Sequence, residues 1–259
     1  MDLGISGRKA IVCASSRGLG RACAEKLALA GCEVTINGLD AKRLEAAAAD
    51  LRKSTGAKIT AVVADVATPD GQKALFAACP EPDILVNNNA GPPFRDFREL
   101  TRQQMIDGVI ANMVTSIELT QKAVDPMVRK KFGRIVNITS GGVKMPLVGL
   151  DLSSGARAGL TAFMSGVARS VAQHNVTINF LLPGAFDTDR LRSNIEATAK
   201  KQNVSYEQSA ATRIASIPAK RFGTASEFGD TCAFLCSAQA GYITGQNLLI
   251  DGGTYPGVF

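Results

Sequence analysis

Two stretches of the chain carry residues whose types and spacing could do chemistry. In 13-CASSRGLG-20 a short apolar run ends in small residues, and Gly18 and Gly20 open an amphipathic segment. Glycines at such a turn let the backbone approach a pyrophosphate, whose charge is favoured by the exposed N–H groups and dipole of the helix that follows. Ala14, Ser16, Arg17 and Leu19 complete that turn, and Arg17 adds a cation suited to a charge-assisted contact with phosphate. A tight structural turn would also want these glycines, but the position after a first strand favours the cofactor reading. In 153-SSGARAGL-160 a hydroxyl, Ser153, stands four residues ahead of a guanidinium, Arg157, at the start of a helical segment. An aliphatic hydroxyl has a pKa far above the ~10 of a tyrosine, so this pair is a poor proton donor by itself.

Other chemistries find little support. The six cysteines lie in apolar surroundings rather than at disulfide or zinc spacings, and the single histidine, His174, leaves no credible tetrahedral site. No metal is expected, and His174 reads as a surface residue. The formal charge of +6 suits an anionic ligand, yet the basic residues are scattered without a nucleic-acid motif. Neither an apolar run long enough for a membrane span nor a signal-peptide pattern is present, so a cytoplasmic protein without a membrane partner is expected.

The elements that must position these stretches alternate in type. Apolar strand-like runs at 9–15, 33–38, 58–66, 83–87, 134–139 and 176–182 are separated by helical patterns such as 21–31 and 41–56. That alternation predicts one doubly wound α/β domain over 1–259, a parallel sheet with helices on both faces. Ligands of such sheets sit at the carboxyl ends of the strands where strand order reverses. The polar, helix-prone stretch at about 190–217 reads as an insertion on the fold.

Taken together with 87-NNNAG-91, 112-NMVTS-116, 137-NITS-140, 183-PGAFDT-188 and 245-GQNLLIDGG-253, the glycine turn resembles the short-chain dehydrogenases/reductases, in particular the 3-oxoacyl-acyl-carrier-protein reductase type. The likeness spans essentially the whole chain. It implies a Rossmann-type fold and hydride transfer between a nicotinamide cofactor and a carbonyl or alcohol carbon. It also implies that Asp65 and Val66 lie beside adenine and that Pro183, Gly184 and Thr188 hold the nicotinamide carboxamide. Cys13 and Ala14 stand where the family has Thr-Gly. The extra asparagine in 87–91 makes the register ambiguous by one. Read without a gap, Asn88 keeps its place, and Asn89 and Ala90 fall on the family's Ala and Gly positions.

Cofactor choice follows from charge. The slot at the end of the second strand that would hold an acidic residue for NAD(H) is Gly38, and Arg17 resembles the residue that pairs with a 2′-phosphate. NADP(H) is therefore expected, with NAD(H) the alternative, since Leu39 replaces a second arginine.

In this family a tyrosine exchanges the proton, a lysine four residues later binds the ribose, a serine orients the substrate oxygen and an asparagine supports a relay water. Asn112 and Ser140 match the last two. Ser140 lies thirteen residues before Ser153, which puts Ser153 and Arg157 on the tyrosine and lysine positions. Arg157 can still bond ribose hydroxyls, but its planar fork does not reproduce an ammonium. Lys144 and Tyr206 are alternative donors. The resemblance implies an oxidoreductase acting on a small carbonyl compound or acyl thioester. A cofactor-binding protein with little turnover (a sensor or inactive oligomer partner) and a lyase or isomerase are the alternatives. The basic residues Arg129, Lys130, Lys131 and Arg134 could dock an acidic carrier, and solvated helix-end charge explains them equally well. The apolar segment 242–259 resembles the family's final strand and tail, implying a homo-oligomer, most simply a tetramer.

Overall fold

The computed structural model describes residues 2–258; Met1 and Phe259, the ends of the expected domain and of the expected tail segment, lie outside the described residues. Seven strands form one sheet in the order β3-β2-β1-β4-β5-β6-β7. They are β1 (Lys9–Val12), β2 (Glu33–Gly38), β3 (Ile59–Val63), β4 (Ile84–Asn87), β5 (Gly133–Ile138), β6 (Val176–Pro183) and β7 (Asn247–Ile250). Every pairing is parallel. Central strands covered on both faces explain the mostly apolar runs: β4 and β5 are buried at every residue.

Helices α1 (Gly18–Leu29), α2 (Ala41–Thr55) and α9 (Ala225–Leu235) cover one face, with Leu27, Leu44 and Phe228 in a core that includes Val34 and Val86. The other face carries α5 (Thr115–Lys130) and α6 (Asp151–Val171), whose Leu119, Leu160 and Met164 pack with Ile135 and Phe180. Between β3 and β4 runs α3 (Pro69–Ala78), and α4 (Arg102–Val109) precedes α5. The expected insertion is a helix pair, α7 (Asp189–Gln202) and α8 (Tyr206–Ala215). No helix among the described residues is long and apolar enough to cross a membrane.

Strand order reverses between β2-β1 and β4-β5, so the crevice opens where the turn after β1 meets the end of β4. Several expected ends shift. The first strand stops at Val12 rather than Ser15, because Ser15 turns its hydroxyl back onto the Val12 carbonyl at 2.6 Å and accepts from the Asn37 N–H. The third strand stops at Val63, where Asp65 begins a turn that leads into α3.

Candidate active site

The glycine turn is held from both sides. Ala14 has φ +44°, a left-handed conformation that costs an L-residue roughly 1–2 kcal/mol. Its N–H donates to Asn37 Oδ1 at 3.3 Å, and its carbonyl accepts from Asn88 Nδ2 at 3.2 Å. Asn37 is itself anchored to the Val62 and Ala64 carbonyls. Gly20 is required by this packing, since a Cβ there would stand 2.5 Å from the Ala14 carbonyl oxygen. The amino end of α1 has Arg17 at its cap position with no side-chain cap bond and no acidic residue in the first turn. Its N–H groups are thus left for an anion, whereas α2 and α3 are capped by Asp40 and Thr68.

Around this turn the remaining dinucleotide candidates take varied places. Ser16 packs against Gly38, where a Cβ would meet Ser16 Oγ at 3.2 Å. Leu19 is partly buried against the first core. Arg17 is 61% exposed and lies 3.8 Å from Asp189 at the start of α7. The Val66 side chain enters the second core, while the exposed Asp65 accepts from the Ala67 N–H. Thr188 caps α7 through the Leu191 N–H, and its methyl lies across from Gly18. Pro183 ends β6, and Gly184 sits against Asp251, where a side chain of its own would collide. Cys13 is fully buried, its thiol pushed up to about 12 by desolvation, so it packs rather than reacts.

The second half of the crevice is built by the ends of β4 and β5 with α6. Asn87 is paired within the sheet to Asn137. Beyond it Asn88 crosses to the glycine turn, Asn89 Nδ2 bonds the Ala111 carbonyl, and the Ala90 N–H donates to Asn89 Oδ1. Asn112 lies in a π-helical turn, Ile110–Val114, of the kind that recurs at functional sites. It is buried; Nδ2 donates to the Gly108 carbonyl, and Oδ1 has no partner. A buried acceptor left bare is costly and marks a place for a polar group or water.

Ser140 opens the turn after β5 and accepts from the Gly142 N–H. A Cβ at Gly142 would meet both Ser140 Oγ, at 3.2 Å, and Ser154 Oγ, at 2.9 Å. Ser154 thus flanks Gly142 together with Ser140, a placement that the thirteen-residue interval to Ser153 does not indicate. Ser153, the third residue of α6, is buried and accepts from Arg157 Nε at 3.3 Å. Arg157 Nη1 donates to the Ile138 carbonyl at 2.8 Å and Nη2 to the Asn89 carbonyl at 3.5 Å. One guanidinium therefore ties α6 to the carboxyl ends of β4 and β5. Burial first, then the nearby Arg190 charge, pushes its pKa down to about 10.

Three further candidates take their places in the fold. Lys144 Nζ lies 5.8 Å over the Tyr255 ring, which brings the C-terminal tail beside the Ser140 loop; no sequence motif marked Tyr255. Tyr206 begins α8. The basic cluster loses Arg134, which is fully buried and bonded to the Ser237, Gly133 and Asn175 carbonyls, a structural staple with no charge to offer a carrier. Arg129 and Lys130 are engaged by Glu81 and Asp83.

Residues 13–255 match a protein-family model described as enoyl-(acyl carrier protein) reductase. The chain is 33% identical over 256 residues to the NADPH-dependent reductase BacG of Bacillus subtilis, covering 96% of this chain and 98% of that one. It is 31% identical to the 3-oxoacyl-[acyl-carrier-protein] reductase FabG of Aquifex aeolicus, covering 98% of this chain and all of the relative. Among solved structures, L-sorbose reductase from Gluconobacter frateurii, complexed with NADPH and L-sorbose, superposes over the whole of both chains with a TM-score of 0.94 at 27% identity.

Proposed function

The chain belongs to the short-chain dehydrogenase/reductase family, and from that premise we propose an NADP(H)-dependent reductase that transfers a hydride between the cofactor and a small carbonyl or alcohol substrate. The observation that carries the cofactor reading is the bare amino end of α1. It is uncapped, without acid, and approached by the glycine turn on one side and Thr188 on the other. NADP(H) supplies the hydride when bound. Residues of the turn from Ala14 to Gly20, with Asn88 behind it, hold the pyrophosphate, and Arg17 takes the 2′-phosphate. Asp65 and Val66 border the adenine; Asn89, Ala90, Pro183, Gly184 and Thr188 border the nicotinamide end.

This chain's own residues then handle the carbonyl oxygen. Ser140 orients it. Ser153 accepts a hydrogen bond from Arg157 Nε, so its own O–H is left to donate towards the substrate, and a cation behind it strengthens that donation. Asn112, with its bare buried Oδ1, holds a water for the proton. Arg157 also bonds the ribose. A 3-oxoacyl thioester is one substrate that this arrangement admits. Oxidation of NADPH followed by absorbance, against a panel of carbonyl compounds, tests the reading. Tight NADPH binding without turnover on any of them would leave a binding protein instead.

The apolar residues left exposed at the tail, Tyr242, Leu248 and Val258, support a homo-oligomer, which we take as a tetramer in the cytoplasm. Light scattering at micromolar concentration checks it, a monomer counting against.

A further inference from the structure

Gly91 is the meeting point of two cations. A Cβ built on it would lie 3.1 Å from Arg190 Nη2, 3.4 Å from Arg190 Nη1 and 3.5 Å from Arg157 Nη2. The two arginines come from different elements, Arg157 from α6 and Arg190 from the first turn of α7. Arg157 is 7% exposed, yet its partners are all neutral: Ser153 Oγ and the carbonyls of Ile138 and Asn89. A guanidinium carries five N–H donors, so three acceptors leave two unaccounted for. Among the described residues neither arginine forms an ion pair. The neighbouring carboxylates are taken elsewhere, Asp187 by Arg192 and Asp189 by Arg17 and Arg192.

A buried charge without a counter-charge is costly, and a second like charge beside it adds to the cost. Folding has nonetheless set both forks against a residue with no side chain. The depressed pKa of Arg157 reflects the same two causes, burial and Arg190. An oxyanion entering at Gly91 would supply the missing charge and acceptors together, and a pair of planar forks is the arrangement that best holds a carboxylate or phosphate.

We propose that Arg157 and Arg190 form a clamp at Gly91 for an oxyanion, a carboxylate or phosphate of the bound ligand. Two sources share that chemistry. Arg190 stands two residues beyond Thr188, which faces the glycine turn, so a cofactor phosphate is one. Arg157 bonds Ser153, so a carboxylate on the substrate, making it an oxo acid, is the other. Only the naming of these sources rests on the reductase reading; the clamp rests on the arginines.

The test is calorimetric titration of the wild type, Arg190→Gln and Arg190→Lys with three probes: NADPH, inorganic pyrophosphate and malonate. Arg190 is exposed and its removal leaves the core intact, which a melting curve verifies. Loss of one fork should weaken binding by about tenfold or more, with Arg190→Lys restoring part of it. Weakening for NADPH and pyrophosphate with malonate unaffected supports the clamp and assigns it to the cofactor. Weakening for malonate with NADPH unaffected supports it and assigns it to a substrate carboxylate. Affinities unchanged within about twofold for every probe, or a wild type that binds none of them, overturn it, at a level far below what a charge-assisted bond contributes. Failure of NADPH alone to bind the wild type removes the reductase reading, while pyrophosphate and malonate still decide the clamp.

Discussion

The turn after β1 and the first turn of α6 both carry residues other than those the family resemblance implies, and the two differ in kind. At the turn the function resides in the backbone. Ala14 keeps the left-handed conformation that a glycine would adopt freely, because Asn37 and Asn88 pin its peptide groups on both sides. The cradle survives with some strain. At α6 the backbone is equally regular: a helix, a π-turn at Ile110–Val114 and the Ser140 cap meet there. There the proposed function resides in side chains, Ser153 and Arg157, where the resemblance implies a tyrosine and a lysine. A backbone device tolerates substitution at the cost of strain, while a proton donor does not.

The sharpest way to break the comparison is to restore the side chains. With Ser153→Tyr and Arg157→Lys together, turnover of 3-oxoacyl thioesters should rise by at least about tenfold, towards the roughly 10²- to 10⁴-fold that a positioned acid contributes. The gain should appear in kcat, because the interaction belongs to the transition state. Stopped-flow NADPH oxidation, with melting curves to confirm folding, reads it. If the wild type already turns over briskly on some carbonyl compound and the double variant loses that activity, Ser153 and Arg157 form a working centre of their own, and the contrast between the two regions disappears.

On the dinucleotide side, Arg17→Ala should reduce the preference for NADP(H) over NAD(H) by about tenfold, the scale of one exposed charge-assisted contact. Paired titrations of the two cofactors measure it. The Gly38 slot sharpens the point: with Ser16 Oγ 3.2 Å from a Cβ there, an acidic residue that would favour NAD(H) could enter only if Ser16 moved. An unchanged preference in Arg17→Ala would place the discrimination elsewhere.

A pH titration separates the halves again. Burial first, and Arg190 second, disfavour the Arg157 charge and push its pKa down to about 10, below the ordinary arginine range. Between that value and the unfolded one the unfolded chain binds the extra proton, so this group's contribution to stability improves as pH rises through the interval. Anion binding at Gly91 has the opposite sense: level from pH 7 to 9, then weakening above about 10 as the charge is lost. Malonate titration at fixed ionic strength checks this, and Arg190→Gln, which removes the lesser of the two causes, should move the fall to higher pH.

Much of this was legible in the chain. Alternating apolar runs and helical patterns predicted the parallel sheet, because strands covered on both faces are apolar at most positions. The spacing of Ser140, Ser153 and Arg157 placed them on adjoining elements. What spacing could not convey was convergence from distant segments. Arg190 meets Arg157 only because β6 delivers α7 back over the crevice, and Ser154 and Ser140 come to flank Gly142 only because α6 packs on the turn after β5. The basic run ending at Arg134 misled for the same reason: a charge in a strand reads as surface until the carbonyls of Asn175 and Ser237 are seen around it. Nor does sequence reveal that Asn37 and Ser15 set the shape of the glycine turn through their own hydrogen bonds.

The smallest effect expected is also the cleanest measure of backbone-borne function. Ala14→Gly removes the left-handed penalty of roughly 1–2 kcal/mol but gives the unfolded chain more freedom, which returns part of it. The net gain should be about 1 kcal/mol or less in denaturant unfolding, with the slope unchanged. Affinity for NADPH should shift by no more than a few fold, since Asn37 and Asn88 already hold the turn in shape. Asn88→Ala provides the counter-case, for it frees the Ala14 carbonyl while φ +44° remains to be supported. In that background Ala14→Gly should stabilise more than it does alone. Equal gains in both backgrounds would mean that the asparagine does not sustain the strain, and that the turn keeps its shape for a reason outside these hydrogen bonds.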